Sequence, residues 1–87
     1  MKMKEFEEYN LKKDQRVKIY CHYNGIEMIY CSGKIDKISR RKYKKYFEKL
    51  NEQEYYKVQV LLSEYDYTND CEKADIDSYL ISNIQYI

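Results

Sequence analysis

Between Val17 and Ile35, apolar and polar side chains alternate on both sides of an Asn24-Gly25 pair. A two-residue type I′ turn needs positive φ at both central residues, which Asn and Gly tolerate best. The pattern predicts a β-hairpin with strands over 16–23 and 26–35. With the turn at Asn24-Gly25, Tyr23 faces Ile26, His22 faces Glu27, Cys21 faces Met28 and Tyr20 faces Ile29. Opposed residues share a face of the sheet. One face then carries Val17, Ile19, Cys21, Tyr23, Ile26, Met28 and Tyr30, and is expected to look at the core. The other carries Lys18, Tyr20, His22, Glu27, Ile29 and Cys31, with Tyr20 and Ile29 as an outer apolar pair. Gly33 marks a bend or bulge in the second strand.

The pattern changes after Ile38. Tyr43, Tyr46, Phe47 and Leu50 recur at helical spacing, and Ser39 is a fair N-cap. A basic helix is expected over 40–52, with a prolonged twisted hairpin as the alternative. Alternation returns over 55–62 and predicts a third strand with Val58, Val60 and Leu62 inward. Residues 63–74 read as a polar, acidic connector. Residues 76–81 read as the last longer strand, Ser82-Asn83 as a single turn, and Ile84 and Ile87 as a return to the core. Phe6, Tyr9 and Leu11 among charged residues suggest a short N-terminal helix or an arm laid on the barrel. These elements predict one α+β domain over 1–87. Its architecture would be a small SH3-like or Sm-like β-barrel of four to five antiparallel strands with one inserted basic helix.

The stretches RVKIYCHYNGIEMIYCSGKIDKI, YYKVQVLL and SYLISNIQYI carry a resemblance. Their hydrophobic spacing, the Gly-Lys-Ile of the second strand and the Ile-x-x-Ile near the end resemble the C-terminal part of YolD-like proteins. Those proteins occur in low-GC bacteria and their mobile elements, and the similarity covers about two-thirds of this chain. The resemblance implies a small barrel. The N-terminal segment is shorter than that family's helical region, and 40–52 is an insertion relative to it.

Composition alters this picture in two ways. Lys, Ile, Asn and Tyr make up 39 of the 87 residues, while Gly, Ala, Arg and Pro supply 6. AT-rich codons favour the first group, so the source is expected to be an AT-rich genome, its phage or its plasmid. Codon bias also accounts for many of the 12 tyrosines. Charge is segregated: residues 1–50 hold 14 Lys/Arg and 7 Asp/Glu, and residues 51–87 hold 2 and 8. A dipolar surface favours steering towards a charged partner, or self-association into a homodimer. No run is apolar enough for a membrane span and no signal-peptide pattern opens the chain, so a cytoplasmic location in a bacterium or infected host cell is expected.

Candidate chemistry is sparse. The single histidine, His22, is expected to pair with Glu27 across the hairpin, without a nucleophile beside it. Cys21 and Cys31 are expected on opposite faces, which argues against a disulfide between them. With Cys71 and His22 they lack the spacing of a zinc site. The acidic residues Asp66, Asp70, Glu72, Asp75 and Asp77 lack the pattern of a calcium loop and read as a solvated loop. No phosphate loop or hydrolase motif occurs. These features predict a non-enzyme with no catalytic residues, metal or cofactor. The expected partner-binding residues are Tyr20, Ile29, Arg40, Arg41, Lys42, Tyr43, Lys44, Lys45 and Tyr46. The leading expectation is a phage- or mobile-element-encoded module that binds and inhibits a host protein complex in defence or nucleic-acid handling. The alternative is a nucleic-acid-binding protein using the basic run 40–49, where cations interleave with aromatics.

Overall fold

The computed structural model describes residues 1–42, 54–62 and 73–87. In chain order these form α1 (Met3–Glu8), β1 (Arg16–Tyr23), β2 (Ile26–Lys42), β3 (Glu54–Leu62), β4 (Lys73–Asp77), a 3₁₀ turn (Ser78–Leu80) and β5 (Ile81–Tyr86). The strands make one antiparallel sheet in the order β4-β3-β2-β1-β5. The sheet is barrel-like but not closed, since β4 and β5 are its two edges. Among the described residues, no helix is long and apolar enough to cross a membrane.

The predicted turn forms as expected, with Asn24 at φ 51° and Gly25 at φ 77°. From Tyr23↔Ile26 to Tyr20↔Ile29 the register follows the sequence pattern. A bulge then inserts Tyr30, and Ile19 pairs with Cys31 instead of Tyr30. A second bulge falls between Ile35 and Lys37. Bulges add local twist, and two of them let β2 pair with β1 at one end and β3 at the other. Gly33 lies where these pairings overlap, opposite both Val17 and Leu62.

The first bulge corrects the cysteine expectation. Cys31 joins Ile19 on the inner face and is buried, while Cys21 packs against the same core. The two thiols therefore share a face. Alternation cannot foresee this, because one extra residue reverses every side chain beyond it.

The expected helix over 40–52 is corrected where it is described. Arg40, Arg41 and Lys42 belong to β2 and pair with Tyr56, Tyr55 and Glu54. The extended-hairpin alternative describes this stretch; a ladder already running along Ile38↔Val58 continues through it. Tyr43, Lys44, Lys45 and Tyr46 lie outside the described residues, as does the rest of the helical stripe.

The final corner is shifted. The turn occupies Ser78–Leu80, and Ser82 and Asn83 lie within β5. Ser78 is buried and its hydroxyl accepts the Tyr56 N–H at 3.0 Å, which pins the corner there. Ile81 and Ile84 are both buried at a spacing of three because β5 bulges between its pairings with Cys21 and Tyr20.

The core joins Val17 and Ile19 of β1, Cys31 and Ile35 of β2, Val58 and Val60 of β3, Ile76 of β4, and Ile81 and Ile84 of β5. The expected N-terminal helix forms, and its Phe6 is buried against Tyr56, ring centroids 5.1 Å apart. The Met1 amine donates to the Ile81 carbonyl at 2.7 Å, and the Tyr9 hydroxyl to Asn83 Oδ1 at 3.1 Å. Tyr86 Oη also donates to the Tyr9 carbonyl. The N-terminal segment thus reaches from β3 to β5 and lies against that edge of the sheet.

Candidate functional site

The β1–β2 hairpin outruns its neighbours. On one side the pairing with β5 ends at Cys21, and on the other the described pairing with β3 runs to Gly33. Among the described residues, 22–27 therefore have no strand on either side and project as the two-stranded tip of an arm, while 28–32 lie on its open edge, flanked by β1 alone. Tyr23, Ile26, Met28 and Tyr30 were expected to face the core. Instead Tyr23 and Ile26 are each 66% exposed, Met28 49% and Tyr30 42%. Among the described residues, no strand covers the outer half of this face at Tyr23 and Ile26, and Tyr30 faces an open groove.

Tyr20 and Ile29 are directly opposed, as the turn dictates. Ile29 is 55% exposed, and half-buried Tyr20 donates its hydroxyl to Gln85 Oε1 at 2.7 Å. His22 and Glu27 are also opposed and exposed, with no hydrogen bond or ion pair joining them. The arm thus presents large apolar groups on both faces and little charge. Scattered apolar residues are ordinary on a surface, whereas a contiguous set marks a contact region.

Beneath the arm lies an open groove of about 330 Å³. Cys21 and Tyr30 line the arm side, Ile76 the β4 side, and Leu80 the end at the 3₁₀ corner. Lys57, Asp75 and Asp77 add charge at its rim, and Lys57 pairs with Asp75 at 3.8 Å. Asp75 and Asp77 are thus strand residues, not part of a solvated loop; Asp66, Asp70 and Glu72 lie outside the described residues. The Tyr30 phenol spans the groove and donates to the Asp75 carbonyl at 2.6 Å. Burial raises the Tyr30 pKa, and the nearby thiols and the Asp75 and Asp77 carboxylates push it the same way. Sequence reasoning missed this groove, because Tyr30, Asp75 and Leu80 meet only through the bulge and the corner.

The basic residues divide. Arg40 is bound to Glu54 by an ion pair and hydrogen bond, which raise its pKa. Arg41 and Lys42 are exposed at the far end of β2, away from the arm. No group of three or more His, Cys, Asp or Glu positioned for a metal ion occurs among the described residues. The chain matches no family model, and no curated protein or solved structure matches it either.

Proposed function

We propose that this chain is a non-enzymatic protein-binding module that acts by stoichiometric association with another protein. The observation that carries the reading is the arm, with Tyr23 and Ile26 exposed at its tip and Met28 and Ile29 exposed on its open edge among the described residues. Interfaces favour such uncharged aromatic and aliphatic groups at their centre. The only histidine, His22, lies exposed opposite Glu27 at the edge of the groove. The fold proposed for the module is an SH3-like or Sm-like barrel. The sheet order, the long bent β2 and the 3₁₀ corner before the last strand support it, and the resemblance to YolD-like proteins agrees. AT-biased composition supports a phage or mobile element of an AT-rich host as the source; the small size and segregated charge support a host protein complex as the partner, and a cytoplasmic location is proposed with it.

The test is affinity capture from lysate of an AT-rich Gram-positive host, followed by reconstitution with the purified partner. The expected result is a one-to-one complex lost in the double variant Ile26→Glu, Met28→Glu. A complex that survives this variant, or no complex, overturns the reading.

Nucleic-acid binding through the basic run is the weaker reading, because Glu54 occupies its Arg40. It requires binding that falls steeply with salt and is lost in Arg41→Ala, Lys45→Ala.

A further inference from the structure

We infer that the groove beneath the arm is a strand-acceptor slot, in which an extended, cationic polypeptide segment pairs with the outer edge of β4. This rests on the protein-binding reading and names the kind of partner segment that the site takes.

The argument begins with backbone direction. The Tyr56 N–H points towards the β4 side of β3, since it meets the Ser78 hydroxyl. Backbone groups alternate sides along a strand. Val58 and Val60 therefore direct theirs to β4, and their partners Ile76 and Ala74 answer. Alternation then turns the N–H and C=O groups of Lys73, Asp75 and Asp77 away from β3. The Tyr30 phenol meets the Asp75 carbonyl on this outward side.

The two sheet edges are treated differently. The β5 edge is met by the N-terminal segment, through the Met1 amine and the Tyr9 hydroxyl. The β4 edge is met, among the described residues, by the single hydroxyl of Tyr30. An exposed edge is a template for another strand. Here it fronts a groove whose opposite wall is the arm, so an added strand is held from both sides.

Side chains give the occupant its chemistry. Cys21, Ile76 and Leu80 offer an apolar floor for alternate side chains of the segment. Asp75 and Asp77 outnumber Lys57 at the rim, so cationic residues suit the intervening positions and a nucleic-acid backbone does not. Tyr30 occupies the acceptor that the incoming N–H needs. It acts as a removable plug.

The test is an amide-resolved NMR titration with two capped peptides, KVKVK and EVEVE. The expected result is saturable shifts at Lys73, Asp75, Asp77 and His22 with KVKVK and none with EVEVE. Tyr30→Phe frees the Asp75 carbonyl and tightens KVKVK by roughly 2- to 10-fold, the usual worth of one hydrogen bond. Leu80→Lys, at a position 55% exposed in the wild type, abolishes the shifts while leaving the fold intact. Equal response to both peptides, shifts confined to other strands, or no shift with either overturns the inference. If the partner complex still forms through Ile26 and Met28 while β4 stays unshifted, the proposed function stands and this inference falls.

Discussion

Gly33 is buried between β1 and β3, and a Cβ there would lie 1.8 Å from the Leu61 carbonyl oxygen. That atom is backbone, so a strand would have to move. Gly33→Ala is expected to lower stability by about 1–3 kcal/mol or more, as overpacked sites do. Gly25→Ala meets open space and loses only the conformational ease of φ +77°, a cost of about 1–2 kcal/mol. Urea midpoints of the two variants check the order; a larger loss at Gly25 would contradict it. Tyr30 gives a second prediction at this scale. Its raised pKa means that the folded chain holds the phenol proton to higher pH than the unfolded chain. The associated stability is complete below the ordinary value of 10.0 and is lost as pH rises through the raised value. Urea midpoints taken on both sides of that range should fall more steeply for the wild type than for Tyr30→Phe; equal slopes would contradict this. At both residues the sequence carried a partial signal. The lone glycine in a strand pointed to a bend or bulge, but the bulges lie at Tyr30 and Asp36 and Gly33 instead marks a close backbone approach; Tyr30 looked like one more inward aromatic until the bulge was known.

β2 holds two environments in one strand. Over 33–42 it is flanked by β3, and over 26–32 it pairs with β1 alone among the described residues. Amide exchange should reflect this, since local opening is easiest where few neighbours pack. Met28 and Ile29 amides are expected to exchange well before those of Ile35 and Ile38, by hydrogen-exchange NMR. Uniform protection along β2 would argue against a projecting arm. The hairpin itself was legible because Asn24-Gly25 fixes both turn and register. Its partial exposure was not, because alternation reports which face is apolar and not whether another element covers it. The same limit explains Arg40–Lys42. Their spacing fits a helix with Tyr43 and Phe47, yet pairing with Glu54–Tyr56 continues a ladder already begun.

Across the whole molecule, two ion pairs among the described residues bridge the halves of unlike charge. Arg40 with Glu54 and Lys73 with Asp36 each join the basic half to the acidic half. Such exposed pairs add little stability. Stability rests on a small core spanning every strand and on Phe6, which carries α1 onto Tyr56. Phe6→Ala is expected to cost about 3–5 kcal/mol, read as a lower midpoint for the whole domain in thermal unfolding. A change confined to the N-terminal segment would show that α1 is not part of the cooperative core.

The sequence by itself determined what local chemistry can encode. Positive φ at Asn24-Gly25 set the hairpin, and alternation set the inward residues Val17, Ile19, Val58 and Val60. Tertiary structure alone decided the bulge at Tyr30, the placement of the corner at Ser78 and the end of the β1–β5 pairing at Cys21. Those depend on which strand lies beside which, a relation between residues far apart in the chain that no local period records. The exposed arm tip and the groove arise from these decisions, since both depend on which residues of distant strands are brought beside the hairpin.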